Sequence, residues 1–197
     1  FTNPFYHFNF NNQLTQHFKK FFLNQIGCSQ RVLIEWLKKN IGELTLHHCQ
    51  RLAVLCAKAG YAEAIKVICE LGSVQISYVE PEERRSLVAI AAEYGHHAVI
   101  KTLFLMGAPI DVRNDSWHTP LMVAAKKGQT QAVLELIALG ADIKQTNKLN
   151  FTVLMLAAQN NHAETIQALI KAGATCHTAL GLAATAGHIE AVRALLS

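Results

Sequence analysis

The sequence predicts an all-α fold built as a solenoid of stacked helix pairs, and two periodic patterns lead to this prediction. Pairs of small residues recur along the chain about every 33 residues, with a shorter last step. These pairs are Cys56-Ala57, Ala91-Ala92, Ala124-Ala125, Ala157-Ala158 and Ala183-Ala184. A second series keeps the same phase at Gly72, Gly107, Gly140 and Gly173. A period of about 30 residues is typical of a repeat architecture.

The first helix of each unit is predicted from its small residues and from the residue that ends it. In residues 88–92 the alanines lie where a short helix must come close to its neighbours. Gly95 then ends the helix, because glycine adopts the left-handed conformation without a Cβ clash. Asn161 replaces this glycine in a later unit, and asparagine visits the same region most readily after glycine.

The second helix is predicted from bulky apolar residues at helical spacing over residues 99–104, and Gly107 ends it. A polar stretch follows over residues 111–118, and Thr119 and Pro120 open the next pair. Threonine suits an N-cap, and proline suits the first helical turn, where its missing N–H costs nothing. One such pair cannot bury its own apolar face, so neighbouring pairs must stack.

Two short segments resemble the ankyrin-repeat family. Residues 119–125, Thr-Pro-Leu-Met-Val-Ala-Ala, resemble its T-P-L-H-x-A-A signature, with Met122 in the histidine position. Residues 140–143, Gly-Ala-Asp-Ile, resemble its G-A-D-V turn. The resemblance covers residues 45–197, about five repeats with the last truncated. It implies antiparallel helix pairs with β-hairpin-like fingers at a right angle, and a concave face of fingers and first helices that binds partner proteins.

The sequence departs from the family pattern in three places. No copy has the histidine of T-P-L-H, so the hydrogen-bonded brace that this histidine makes between repeats should be missing. About seven residues of finger are deleted between Gly173 and Thr178. We therefore expect a gap in the concave face there. The finger from Gly72 to Ser86 is longer than the others by two residues.

The N-terminal fifth differs from the rest, and seven of the nine phenylalanines lie between Phe1 and Phe22. Residues 14–26 carry apolar side chains at the spacing of an amphipathic helix. A second apolar stripe covers residues 33–37, with Ser29 as a suitable N-cap. We predict a helical cap or degenerate repeat over residues 14–44. Residues 1–13 are aromatic and rich in asparagine, and they form either an arm against this cap or part of a lost preceding domain.

Composition narrows the possible functions. Hydrophobic residues make up 51% and charged residues 16%, which is enough apolar material for a core and rules out a disordered tail. Although the formal charge is +4, no basic run exceeds a pair, so we expect no nucleic-acid partner. No apolar stretch reaches the roughly 20 residues that cross a bilayer. The five cysteines are odd in number, which indicates free thiols and a reducing compartment such as the cytoplasm.

The histidines and cysteines show neither a catalytic nor a metal-binding pattern. The ten histidines include the neighbours His96 and His97, but adjacent residues on a helix point about 100° apart and rarely bind one ion. His96 also lies where ankyrin repeats favour Gly-His, which implies a structural role. Neither H-x-x-x-H nor C-x-x-C occurs, and the nucleophile-elbow, P-loop and dinucleotide motifs are absent. We predict no metal, no cofactor, no catalytic residue and no enzyme within this sequence.

Candidate binding residues follow from their places in the repeat. Those on predicted fingers are Arg85, Arg113, Trp117, His118, Lys148 and Phe151. Those at the ends of first helices are Tyr94, Lys127 and Gln159. Each is also explained as an ordinary solvated side chain, and Trp117 as a side chain packed on a neighbouring finger. Aromatic and arginine side chains, however, are enriched among the residues that carry most of the binding energy at interfaces.

The predicted function is that of an interaction scaffold that binds a partner protein on its concave face. Because the sequence begins at Phe1 without methionine, we expect it to be the recognition part of a larger protein. The alternative is the substrate-recognition region of a host-directed bacterial effector enzyme, working in the host cytosol, whose catalytic domain lies outside this sequence. A nucleic-acid-binding array is a third interpretation, supported only by Lys126, Lys127 and a few neighbouring bases.

Overall fold

The described part of the chain is helical almost throughout. The computed structural model describes residues 30–72, 74–82, 84–175 and 177–197. These residues form eleven α-helices: α1 (Gln30–Asn40), α2 (Leu46–Ala59), α3 (Ala62–Leu71), α4 (Leu87–Glu93), α5 (His97–Leu105), α6 (Pro120–Lys126), α7 (Thr130–Ala138), α8 (Val153–Gln159), α9 (Ala163–Lys171), α10 (His177–Thr185) and α11 (Ile189–Leu196). A 3-10 turn, Ile41–Glu43, follows α1. The predicted all-α fold class is confirmed.

The helices stack in two layers. The inner helices α2, α4, α6, α8 and α10 pack in succession, and so do the outer helices α3, α5, α7, α9 and α11. Each inner helix also packs against the outer helix that follows it in the chain. α1 packs against α3, so it takes the place of an outer helix one unit earlier. This sequential stacking is the solenoid that the period predicted.

The two layers bury different types of side chain. Ala91, Ala124 and Ala157 are fully buried in the inner helices, where their small size lets neighbouring helices approach. Three of the outer helices, α5, α7 and α9, each bury a leucine at the same period, namely Leu103, Leu136 and Leu169. The predicted role of the alanines as close-contact positions is therefore confirmed.

Hydroxyl side chains fix where the inner helices begin. Thr45, Ser86, Thr119 and Thr152 are N-caps, and each hydroxyl accepts the backbone N–H three residues later at 3.1 to 3.3 Å. Pro120 follows its cap in the first turn, as predicted. At the other end of the inner helices, Gly95 and Asn161 have φ values of +78° and +60°, which confirms the predicted left-handed position.

Three longer segments connect outer helices to the next inner helices. We call residues 72–86, 106–119 and 139–152 the first, second and third fingers. Short antiparallel bridges join Val79 to Ser86 in the first finger and Thr146 to Thr152 in the third. By contrast, residues 172–176 alone connect α9 to α10, so the predicted shortening of the last finger is confirmed.

The register predicted for Gly72 is wrong by one residue. Its φ is −92°, whereas the φ of Gly107 is +91°. Helix α3 has 10 residues and α5 has 9, and Val74 takes the buried position that Ala108 occupies in the second finger. One of the two extra residues that we assigned to the first finger therefore lengthens the helix instead.

Several N-terminal predictions lie outside the described residues: the arm over residues 1–13, the helix over residues 14–26 and the N-cap at Ser29. Within α1, Leu33 and Leu37 are fully buried, in agreement with the predicted apolar stripe. The boundary of the cap at residue 44 stays a prediction. In the described ranges, every helix is too short or too polar to span a membrane.

Candidate functional site

Two asparagines, at equivalent places in consecutive repeats, build the turns of the second and third fingers. The side-chain oxygen of Asn114 accepts the backbone N–H groups of Ser116 and His118 at 3.0 and 2.9 Å. The backbone N–H of Trp117 donates to the Asn114 carbonyl at 2.8 Å. Asn147 makes the equivalent contacts in the third finger. These bonds hold both turns in one shape and fix the direction of the side chains at their tips.

One position in each finger has a left-handed backbone without being glycine. Arg84, Trp117 and Asn150 have φ values of 50°, 61° and 60°. This conformation costs a residue with a side chain about 1 kcal/mol. The Trp117 side chain is 49% exposed, so burial within this chain offsets only part of that cost. The guanidinium of Arg113 lies 5.4 Å from the centre of the indole ring, within range of a cation–π contact.

Neighbouring fingers are joined side by side. At the tips, Arg84 Nε lies 3.4 Å from a carboxylate oxygen of Asp115. Arg113 Nε donates to the Gln145 side-chain oxygen at 3.0 Å. The Lys148 backbone N–H donates to the carbonyl of Ser116 at 3.4 Å. The structure therefore brings Arg113, Trp117 and Lys148 together at the tips of the second and third fingers.

His118 lies half-buried between these two fingers. The side-chain nitrogen of Asn147 lies 3.0 Å from His118 Nε2. Because an amide nitrogen can only donate, the ring must accept at Nε2, which requires neutral histidine. Burial, and then the positive charge of Lys126, lowers the pKa of His118. This histidine is thus a neutral link between fingers, with less of its ring available to a partner than an exposed residue would offer.

Arg85 was predicted to contact a partner, but its side chain is only 11% exposed. Its Nε and Nη2 bind one oxygen of Glu80 at 3.1 and 2.8 Å, and its Nη1 binds Glu93 at 2.5 Å. The other oxygen of Glu93 lies 3.2 Å from Lys127 Nζ, whose side chain is 50% exposed. A guanidinium held between two carboxylates is engaged inside the chain, so we remove Arg85 from the candidate surface.

The remaining candidates lie apart from the fingertips. Tyr94 directly follows α4 and is 46% exposed. Gln159 ends α8 with an exposed side chain, and its carbonyl accepts a hydrogen bond from His188 Nε2 at 2.9 Å. Phe151 is half-buried and packs against the core, so its ring supports the third finger as well as reaching its surface.

A regular brace links each repeat to the one before it. Four side chains make this brace, and each bonds to a carbonyl near the end of the inner helix in the preceding repeat, at 2.9 to 3.2 Å. They belong to the residues that directly precede α5, α7, α9 and α11, namely His96, Gln129, His162 and His188. The predicted structural role of His96 is confirmed. The T-P-L-H histidine is absent from this chain, but these four contacts connect the repeats at another position.

The described thiols are free and belong to the core. Cys49 and Cys56 are buried and Cys69 is partly buried. Burial raises the pKa of Cys56, and burial together with nearby Glu70 raises the pKa of Cys69 to about 11. Cys28 and Cys176 lie outside the described residues. Among the residues that the structure describes, no three metal-binding side chains cluster.

Sequence reasoning missed the residues that organise this surface. Asn114 and Asn147 were detectable, because they hold the same place in consecutive fingers. Glu80 and Glu93 carried no such signal, since they come from different segments and only folding brings them to Arg85. The fingertips therefore carry aromatic, basic and polar groups whose positions are held by contacts within the chain.

Comparison with known proteins agrees with this architecture. A family model described as ankyrin repeats, in three copies, matches residues 52–147, 88–177 and 121–197. A stretch of 64 residues is 38% identical to human ankyrin repeat and KH domain-containing protein 1, and to human and mouse ankyrin repeat domain-containing protein 17.

Each of these alignments covers 32% of this chain and 2% of the relative, so the chain matches only a small part of each relative's length. The family matches extend from residue 52 to residue 197 and coincide with the stacked helix pairs. The chain belongs to the ankyrin-repeat family.

Proposed function

We propose that this chain binds a partner protein with a surface on the second and third fingers, as the recognition part of a larger protein. Ankyrin repeats imply a protein-binding scaffold. We define the fingertip patch as Arg113, Ser116, Trp117, Lys148 and Leu149, all of which are exposed. We propose that these residues form part of the concave face of the array.

The exposed indole of Trp117 carries this proposal. The side chain is 49% exposed, and its backbone has a left-handed conformation that disfavours a large side chain. Large aromatic side chains bury roughly 200 Å² when covered, so covering the exposed half of this one would contribute about 2 kcal/mol. Arg113 already lies across the ring, which limits its motion before a partner arrives.

The charges around the indole suggest what kind of partner fits. Arg113 and Lys148 are exposed cations, and Leu149 beside them is 75% exposed. Asp115 supplies a negative charge, but Arg84 pairs with it. A partner with an apolar centre and acidic residues around it would complement this arrangement, because complementary charge at the rim mainly speeds association.

The proposal that a partner protein binds the fingertip patch is tested first by capture from a cell lysate, followed by mass spectrometry. The wild-type chain and Trp117→Ala serve as paired baits, with Lys101→Ala as a control because Lys101 is exposed on α5, away from the fingers. We expect a protein that wild type and Lys101→Ala retain and Trp117→Ala loses. Equal retention by all three baits would contradict a binding role for the fingertip patch.

A further inference from the structure

The connection between α9 and α10 opens a cavity where a fourth finger would lie. Its volume is about 270 Å³, and it is bounded by the third finger and the short connection. Its lining includes Ile143 and Lys144 of the third finger, Val153 and Leu154 at the start of α8, and Ala172 of the short connection. We call this cavity the finger gap. The gap predicted from the deletion is present.

In the contacts between the second and third fingers, acceptor groups of the earlier finger receive backbone N–H groups from the later one. Asp111 accepts the backbone N–H of Asp142 at 3.2 Å, and the carbonyl of Ser116 accepts that of Lys148 at 3.4 Å. At the equivalent positions of the third finger, one repeat later, the corresponding residues are Lys144 and Leu149.

In the third finger these groups are left without such contacts. Within the described residues, the carbonyl of Leu149 accepts no hydrogen bond and the ammonium of Lys144 makes no ion pair. The last finger that the structure describes in full therefore presents an unused backbone acceptor at its tip, Leu149, and an unpaired cation, Lys144, in the lining of the cavity.

The shape and chemistry of the finger gap limit what can fill it. A cavity of about 270 Å³ is smaller than the roughly 300 to 1,000 Å³ of drug-sized ligand sites. Its walls include the apolar side chains of Ile143, Val153 and Leu154, and Lys144 is the charged residue in its lining. Lys171, exposed at the end of α9, adds a second positive charge next to Ala172. This combination suits one apolar side chain with a carboxylate near it.

We infer that the finger gap binds an extended, acidic segment of a partner protein that takes the place of the missing finger. A backbone N–H of the segment donates to the Leu149 carbonyl, one apolar side chain enters the cavity, and a carboxylate pairs with Lys144. Extended segments gain affinity from such backbone bonds and specificity from a side-chain pocket. The inference rests on the proposed function as a protein-binding scaffold. It shares Leu149 with the fingertip patch, through the backbone carbonyl and not the side chain, and its other contacts lie in the finger gap.

A displayed library of random twelve-residue linear peptides, selected on the wild-type chain, tests the inference. Two variants alter the finger gap: Lys144→Glu reverses its charge, and an insertion of a copy of residues 144–150 between Cys176 and His177 restores a finger of normal length. Lys101→Glu is the matched charge reversal on α5, and Trp117→Ala reports on the fingertip patch. Thermal melts of each variant verify that it folds. If the insertion variant does not fold, peptide binding by Lys144→Glu alone decides the inference.

We expect selected peptides that combine an apolar residue with aspartate or glutamate. Lys144→Glu should weaken their binding about tenfold or more, because like charges oppose each other at the contact. The restored finger should abolish binding, whereas Lys101→Glu and Trp117→Ala should change it by less than about twofold.

Three results would overturn the inference: no peptide is enriched, the enriched peptides lack acidic residues, or they bind Lys144→Glu as tightly as wild type. If Trp117→Ala abolishes their binding instead, the fingertip patch is the peptide site and the inference about the gap is wrong while the proposed function stands. The binding role of the fingertip patch is tested separately, by lysate capture with Trp117→Ala.

Discussion

The middle of the array and its last repeat use the same helix pair but differ in how they contact their neighbours. Between α6 and α8 the chain has stacked helices, a brace and a finger bonded to the finger before it. The last pair, α10 and α11, keeps the helix packing and the His188 brace, but residues 172–176 replace the finger. Within this last pair Ile189 and Leu196 are 65% and 69% exposed.

This difference distinguishes the part of a repeat that positions the helices from the part that we propose for binding. Helix stacking and the brace are sufficient to position the last pair, so a full finger is not required for the stack. The fingers instead carry the polar and aromatic groups that we propose for binding. In a solenoid the stability is roughly a sum over neighbouring interfaces, so the middle and the end should respond differently to equivalent substitutions.

The largest difference should come from ion pairs. Arg85→Ala leaves the nearly buried carboxylate of Glu80 without its cation, and breaking a buried pair in this way costs about 3 kcal/mol. Arg193→Ala removes the exposed pair with Glu190 in the last repeat, which should cost less than about 0.5 kcal/mol. Urea unfolding of both variants measures the two costs, and equal losses would show that the buried network does not hold the first finger.

Overpacking should give the next largest contrast. Ala125 and Ala184 are the second members of equivalent small pairs, but Ala125 is fully buried against the next repeat and Ala184 is exposed. Ala125→Leu should therefore cost about 1 to 3 kcal/mol, because a filled contact has no room for extra methylenes. Ala184→Leu should leave the melting temperature nearly unchanged. Similar melts for the two variants would mean that the helix register is wrong.

Substitution of the exposed tryptophan should affect binding and hardly affect folding. Once a partner is known, Trp117→Ala should weaken its binding by about 2 kcal/mol in calorimetry, with Lys101→Ala as the control. Trp117→Gly should weaken binding similarly and unfold no more easily than Trp117→Ala, because glycine relieves the left-handed backbone. If Trp117→Ala melts the chain instead, the indole supports the fold and not the binding surface.

The smallest effect should be a pH dependence at the link between fingers. Burial lowers the pKa of His118 in the folded chain below its ordinary value of 6.5, so the unfolded chain binds a proton more readily. Stability from this group is complete above about pH 6.5 and falls as the pH drops below it. Unfolding at pH 7.5 and 5.5 should show a larger loss for wild type than for His118→Gln. An equal loss in both would assign the dependence to other groups.

Much of this fold was predictable from local sequence signals, such as helix caps, and from the repeat period of about 33 residues. The caps at Thr119 and Pro120, the left-handed Asn161 and the shortened connection after Gly173 each have a physical signature within a few residues. The register of Gly72 was missed because the repeat has two extra residues, one in helix α3 and one in the first finger. In the sequence this arrangement looks the same as two extra residues in the finger.

The candidate site was less predictable, because its chemistry depends on contacts that form only when the chain folds. The position of Arg85 in the sequence suggests exposure, and only the folded chain brings Glu80 and Glu93 to it. Likewise, the side chain of His96 reaches the carbonyl of Lys58 in the preceding repeat, which no local pattern reveals. Trp117 was identified from its place on a predicted finger and from its aromatic side chain, and neither requires knowledge of distant contacts.

The left-handed positions at Arg84, Trp117 and Asn150 have a consequence for how such an array can change. One backbone geometry displays a cation, an indole and an amide on three successive turns. Asparagine adopts this conformation more readily than other residues with a side chain, which meet a cost of about 1 kcal/mol there. Exchanging one such residue for another alters the displayed chemistry while the turn keeps its shape. These three positions can therefore be varied together as a combinatorial library on a constant scaffold, and new binding specificities can be sought without redesigning the stack.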